Sequence, residues 1–310
     1  MNMELRDIQY FKVVAQHCNI GRAAEVLGLS PTALSKSLRR LEHSLGAKLV
    51  KRVSRGVELT VVGAAIAARA DILQVTADDL IREAADLNSG AKGSIRAGVA
   101  PGLTEITLAH AYIALLMETK DIALDVHVLD GPALRSALRR GEVDLIFSTP
   151  PDGRAAPQGF EIVDLYRERW VVGAAADHPL ARRKRVTIDA LLDEVWVLNR
   201  HGIALSEFFT KVERQGLPQP KVLLQANSWD ILFRTVASSR LLSFGSHTAL
   251  MQARRQHSLV ALPVEGLKLE RRVVVYYRKD GYLPPAAMRL IEILKAQGRA
   301  ITARRGLKGK

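Results

Sequence analysis

The sequence predicts a multidomain α+β chain with a winged helix-turn-helix head, one long helix and a large C-terminal α/β domain. Three observations carry that expectation. Short amphipathic helical patterns joined by a glycine turn occupy the first sixty residues; an apolar repeat of alternating four and three runs over 66–87; beyond Gly93, β-like runs alternate with helical ones.

Ile8, Phe11, Ala15 and Cys18 share one helical face, which makes Cys18 a core-packing residue. Asn19 and Gly21 break that helix, and Ala23, Ala24 and Leu27 mark a short second one. Gly28 ends it in a left-handed turn that glycine adopts at little cost. Ser30 follows as an N-cap, with Pro31 at the first helical position. A third helix runs over 31–45 and buries Leu34, Leu38, Leu41 and Leu45. Thr32, Ser35, Lys36 and Arg39 form a second, polar and basic face with short side chains near the helix start. A recognition helix needs that arrangement, because its first residues must approach base edges in the major groove. Alternating apolar residues then surround Ser54, Arg55 and Gly56, the tip of a hairpin wing from which Arg52 and Arg55 reach phosphates or the minor groove. Residues 1–60 hold 10 Lys or Arg against 5 Asp or Glu, which favours a polyanion over a plain helical bundle.

In the long helix, Ile66, Ala70, Leu73, Ala77, Leu80, Ala84 and Leu87 form a heptad seam. So narrow a seam needs a partner helix, and a second copy of the chain is the natural one. Two copies also bring two recognition helices to two half-sites.

Beyond Gly93, strands are expected over 95–100, 122–129, 143–148, 170–174, 195–199, 221–225, 241–244 and 273–277, with helices over 103–117 and 132–140. The alternation implies an α/β fold with mostly parallel sheets. Ligands bind such folds beyond the carboxyl ends of the strands. The residues there are Pro101, Gly102, Thr104, Ser148, Thr149, Asn199, Arg200, His201, Asn227, Ser228, Gly245 and Ser246, which are candidates for a small-molecule site or simply turn and cap residues.

The run Arg22-Ala-Ala-Glu-Val-Leu-Gly-Leu-Ser-Pro-Thr-Ala-Leu-Ser-Lys-Ser-Leu-Arg-Arg-Leu-Glu42, continued by Leu45-Gly46, Leu49, Arg52, Arg55-Gly56, Leu59-Thr60 and Gly63, closely resembles the LysR-type transcriptional regulators. Asp177-His-Pro-Leu-Ala181 with Val186-Thr187 resembles the family's sensor domain. The resemblance implies DNA contacts from Ser30, Pro31, Thr32, Ser35, Lys36, Arg39, Arg52 and Arg55. Many members carry glutamine and proline where this chain has Pro31 and Thr32, so no base preference transfers. It implies a sensor like the periplasmic binding proteins, two subdomains around an effector cleft, and tetramers built as dimers of dimers. On that basis the head covers 1–63 and the linker helix 64–90. The effector domain covers 91–300, with one subdomain of 93–163 plus 268–300 and another of 164–267. A structureless basic tail over 301–310 completes the chain.

Other classes fit less well. A net charge of +13 points to nucleic acid, an anionic membrane surface or acidic ligands. No apolar run is long enough for a membrane helix, and the charged first residues do not read as a signal peptide, so a cytoplasmic protein is expected. The single cysteine excludes an internal disulfide or a multi-cysteine zinc site. No phosphate-binding loop, nucleophile elbow or metal-spaced histidine pair is present, so neither catalysis nor a cofactor is expected. The expected partners are promoter DNA, a small-molecule effector (an organic anion is favoured by the abundance of Arg and Lys), further copies of the chain and RNA polymerase. The rivals are a solute-binding protein, a sequence-independent architectural DNA binder, and an enzyme fused to a DNA reader.

Overall fold

Helix α1 spans Leu5–His17, α2 Ile20–Leu27 and α3 Pro31–Leu45 in the computed structural model. The model describes residues 3–89, 93–101, 105–119, 121–150, 156–199, 208, 210, 212–214 and 216–306. Local chemistry sets each boundary in the head. The Asn19 side chain accepts from the Arg22 amide, and the Ser30 hydroxyl accepts from the Ala33 amide with Pro31 behind it. Gly28 and Gly46 close α2 and α3 with φ of 64° each. Cys18 departs from its expected place: it is exposed and caps α1 in the left-handed region at φ 49°. Its carbonyl instead receives the Val57 amide at 2.9 Å, which ties the wing to the end of α1.

The wing is the antiparallel pair β1 (Val50–Val53) and β2 (Gly56–Leu59), turned by Ser54 and Arg55. Ile8, Phe11, Leu38, Leu41 and Leu49 form one small core with Ala70 of α4 (Val61–Ser89). Val14, Ala23, Ala24, Leu34 and Val57 form the other.

The chain divides into two compact units, residues 1–85 and 86–310. The second is built on β3 (Ser94–Val99), β4 (Ala123–Val128), β5 (Leu145–Ser148), β6 (Phe160–Ala175), β7 (Val195–Asn199), β8 (Lys221–Ala226), β9 (Ser243–Ser246), β10 (Leu259–Ala261) and β11 (Leu269–Arg278). Its helices are α5 (Glu105–Glu118), α6 (Gly131–Arg139), α7 (Ile188–Leu192), α8 (Trp229–Ala237), α9 (His247–Ala253) and α10 (Pro285–Gly306). The main sheet has the order β10-β6-β11-β5-β3-β4, with β9 also on β6, and β7 pairs with β8 separately.

Two lobes follow from the cores. Ile95, Val99, Leu115, Phe147, Tyr166, Val273 and Leu294 belong to one cluster; Trp170, Val172, Trp196, Phe244, Leu262 and the flanking Leu269 belong to another. The chain therefore passes between lobes within β6, between Tyr166 and Trp170, and back within β11, between Leu269 and Val273.

Three expectations change. The sheet is not mostly parallel: β6 pairs antiparallel with β9, β10 and β11, and β11 antiparallel with β5, leaving β3/β4, β3/β5 and β7/β8 parallel. One strand must leave a lobe and another return to it, so β6 and β11 run in opposite directions. The expected strand over 170–174 is the end of the 16-residue β6, and β10 adds a strand that periodicity does not announce. The basic tail is helical as far as Gly306, because α10 continues through the first six of its residues. Residues 307–310 lie outside the described ones.

Candidate nucleic-acid interface and effector site

The start of α3 is built to face outward. Ser30, Pro31, Thr32, Lys36 and Arg39 are exposed and Ser35 is half-buried, while Leu34, Leu38 and Leu41 anchor the opposite face. Adjacent arginines have opposite fates. Arg40 donates through Nε at 2.7 Å and Nη2 at 2.5 Å to the buried Asp7 carboxylate, which also accepts from the Ser37 hydroxyl at 2.6 Å. Burial pushes the Asp7 pKa up, but the hydrogen bonds from Arg40 and Ser37 outweigh it and hold the group below its ordinary value. Arg39 has no such partner and neither has Lys36: among the described residues no carboxylate pairs with either.

Glu42 performs a second anchoring task. Its carboxylate accepts from Lys48 Nζ at 2.7 Å and the Leu49 amide at 2.9 Å, which fixes the entry to the wing. Burial raises its pKa, and the bonds from Lys48 and the Leu49 and Val50 amides bring it below the ordinary value. In the wing, Lys51 pairs with Glu58 at 2.7 Å, whereas Arg52 and Arg55 stay exposed without a carboxylate among the described residues. A Cβ on Gly56 would strike the Cys18 carbonyl oxygen, and one on Gly63 would strike that of Leu49. The wing therefore closes onto the end of α1, and α4 onto the entry to the wing, only with glycine at these places.

In the sensor unit the strand ends converge. The Ala100 amide bonds to the Phe147 carbonyl at 3.0 Å, which sets Pro101 beside Ser148 and Thr149. Asn199 is in register with Ala226, so it lies beside Asn227 and Ser228. Between these groups stands Trp229, whose Nε1 donates to the Pro101 carbonyl at 2.8 Å and whose ring lies 5.7 Å from that of Trp170. Ser228 caps α8 by accepting from the Ile231 amide, and the buried Ser246 caps α9 by accepting from the Ala249 amide at 3.0 Å. Gly245 packs beneath the rings of Phe233 and Trp229. Gly102, Thr104, Arg200 and His201 lie outside the described residues.

Along α4, Ile66 and Ala70 pack into the head's own core, while Ala77 is half-buried and Ala84 exposed. Leu73, Leu80 and Leu87 are 44%, 63% and 80% exposed, so the later part of the seam is an uncovered apolar stripe.

Comparisons with known proteins agree with this architecture. Residues 5–64 match the bacterial regulatory helix-turn-helix protein family of the lysR type, and residues 88–299 match the LysR substrate binding domain. The chain belongs to the LysR family of transcriptional regulators. It is 28% identical over 312 residues to the RuBisCO operon transcriptional regulator of Allochromatium vinosum, covering 99% of this chain and all of that one. It is 30% identical over 201 residues to the regulator BudR of Raoultella terrigena, covering 63% and 67%. The crystal structure of CbnR, a LysR family transcriptional regulator, is similar in fold, with a TM-score of 0.63 at 19% identity over 96% of this chain and 99% of that one.

Within this LysR-family regulator, the roles of Trp229, Asp7, Arg40 and Glu42 are not visible in the sequence. Trp229, Asp7 and Arg40 act on residues distant along the chain, and Glu42 on the turn that follows its own helix. Only the unusual coincidence of buried carboxylates on helical core faces could have pointed to Asp7 and Glu42. Two further buried charges, Glu168 and Arg271, are cross-strand partners where β6 and β11 pass between lobes, and Glu168 accepts from the Thr248 amide at 3.1 Å.

Proposed function

We propose that this regulator reads a promoter duplex through Ser30, Pro31, Thr32, Ser35, Lys36 and Arg39, with Arg52 and Arg55 of the wing on the flanking backbone. Its response is set by a small organic anion held at the strand ends around Trp229. The observation that carries the DNA reading is the contrast between Arg40, consumed by Asp7, and Arg39 and Lys36, which are exposed and have no carboxylate partner among the described residues. Short polar residues at the capped start of α3 add base-reading groups to those cations. The Pro101–Trp229 hydrogen bond supports the effector site, since it draws the end of β3 and the start of α8 around one place. Pro101, Ser148, Thr149, Asn199, Asn227 and Ser228 then line it, with Gly245 and Ser246 behind them.

Control runs through populations. An effector that prefers one lobe arrangement shifts the balance of states, and a coupling of ~1–3 kcal/mol suffices. Leu73, Leu80 and Leu87 pair two copies of the chain along α4, with dimers joining into tetramers. The regulator works by binding, without a catalytic step or cofactor, in the cytoplasm where promoter DNA and RNA polymerase are met. The test is fluorescence anisotropy on the duplex upstream of the regulator's own gene, against a scrambled duplex of equal composition. A preference of ~10³-fold or more, lost in S35A/K36A, is expected. Equal, steeply salt-dependent binding to both duplexes would replace the reading with a sequence-independent one.

A further inference from the structure

A cavity of about 330 Å³ lies against the turn that ends α9, in the second lobe of the sensor. Arg254, Arg255, Gln256, His257 and Ser258 line it, together with Ala176 just beyond β6. Two of these side chains are fixed cations and three more can form hydrogen bonds, while no carboxylate is among the lining residues. The backbone of the turn is tied down at each step. The amides of Arg254, Arg255, Gln256 and His257 bond to carbonyls of α9 at 2.9 to 3.0 Å, and the Ala176 amide donates to the Ser258 carbonyl at 2.9 Å. A site whose walls are already held loses less freedom when a ligand enters.

The cavity is separate from the strand ends around Trp229. Ser246, paired with Trp170, caps the start of α9, whereas the cavity lies at the finish of that helix. Along β6 the pairing of Ala175 with Leu259 falls well beyond Trp170, roughly 17 Å further along the strand. Two ordinary explanations leave its charges unaccounted for. Ion pairing serves Arg185, bound to Glu265 at 3.0 Å, and Arg234, bound to Asp230 at 2.7 Å, in the same lobe. Among the described residues no carboxylate pairs with the exposed Arg254 or Arg255, and Asp177, exposed beside Ala176, bonds to neither. The helix dipole draws cations to the end of α9, but it asks for neither a hollow nor a lining without acids.

We propose that this cavity binds a small oxyanion with two negative charges, a phosphate or a short dicarboxylate. Arg254 and Arg255 hold it, because the planar guanidinium fork matches the paired oxygens of either group. Gln256, His257 and Ser258 add hydrogen-bond donors around it. The volume is near the lower end for ligand pockets, which suits a compact anion. The site is additional to the proposed effector site at the strand ends and does not depend on it.

The full chain is dialysed to equilibrium against labelled inorganic phosphate and, separately, labelled malonate, at constant ionic strength. Saturable binding of at least one is expected, and the tighter of the two names the class. R254Q/R255Q should weaken it roughly tenfold or more for each arginine, since a hydrogen bond to a charged group is lost with each. Both positions are exposed, so folding should be unaffected. R254K/R255K keeps the charge without the fork and should also bind more weakly. N227D, at the strand ends, and K36Q/R39Q, in the head, should bind as wild type does. Absence of saturable binding to either anion overturns the proposal, as does wild-type affinity in R254Q/R255Q. Undiminished binding in R254K/R255K overturns it in favour of diffuse charge attraction. Loss in N227D overturns it in favour of the strand ends, and loss in K36Q/R39Q in favour of the face proposed to read DNA.

Discussion

Trp229 donates its indole N–H to the carbonyl of Pro101 at 2.8 Å, a bond between residues 128 apart in sequence. It joins the end of β3, in the first lobe of the sensor, to the start of α8, in the second. W229F keeps an aromatic ring near Trp170 and Phe233 and removes this bond along with part of the indole's packing. One hydrogen bond contributes about 1 kcal/mol, so urea unfolding of the sensor should show stability lowered by at least that amount, read as a lower midpoint at unchanged m, with DNA affinity unchanged. An unaltered midpoint would mean that solvent replaces the bond at no cost.

Gly63 and Gly28 should respond differently to alanine. In a helix interior the change usually stabilises by up to about 1 kcal/mol, yet at Gly63 the added Cβ meets the Leu49 carbonyl oxygen. G63A should therefore cost ~1–3 kcal/mol, as overpacked sites do, and weaken DNA binding by displacing the wing. At Gly28 nothing lies within 4 Å, so G28A carries only the left-handed backbone penalty of ~1–2 kcal/mol. Thermal unfolding of both variants checks the order; G63A as stable as wild type would contradict the close approach.

Acid should loosen the head through Asp7 and Glu42. Both carboxylates are held below their ordinary pKa, so their contribution is complete above the unfolded value of about 4 and disappears as pH falls through the folded values. Urea midpoints measured from pH 7 to pH 3 should hold steady and then drop below about pH 4. In R40Q, burial acts on Asp7 without its counter-charge, so the variant should be less stable at neutral pH and should lose less on acidification than wild type. Coincident profiles for R40Q and wild type would remove Arg40 from this role.

Leu80 and Leu87 should decide assembly while contributing little to the single chain. Both are strongly exposed, and surface changes of this kind alter stability by less than about 0.5 kcal/mol. L80D/L87D places charges on the expected seam. Sedimentation equilibrium should show a shift toward monomer, with thermal unfolding near that of wild type at high dilution. An unchanged assembly state would move the interface elsewhere.

The face proposed to read DNA is largely legible in the sequence because its signals are local. Ser30, Pro31 and Gly28 announce the helix start, and the leucine period separates the buried face from Thr32, Ser35, Lys36 and Arg39. The proposed effector site is legible only as strand ends. That Asn199 lies beside Asn227, and Pro101 beside Ser148, depends on register between strands, and the residue that gathers them, Trp229, carries no local mark of that role. Ser228 and Ser246 are candidates on polarity alone, and both cap helices.

Periodicity, caps and turn residues are enough to specify the three-helix head, its turn and wing, the long α4 and the alternation of strands and helices after Gly93, though not β10 or the full length of β6. Each of these signals acts within a few positions of the residues it shapes. Only the tertiary structure decided that Arg40 is bound to Asp7 while Arg39 has no carboxylate partner among the described residues, that Cys18 faces outward, that β6 runs for sixteen residues between two lobes, and that Ala70 belongs to the head's own core. These outcomes depend on which distant groups share a buried space. An arginine is drawn inward only where a carboxylate has already been removed from water, and the chain's local pattern holds no record of that meeting.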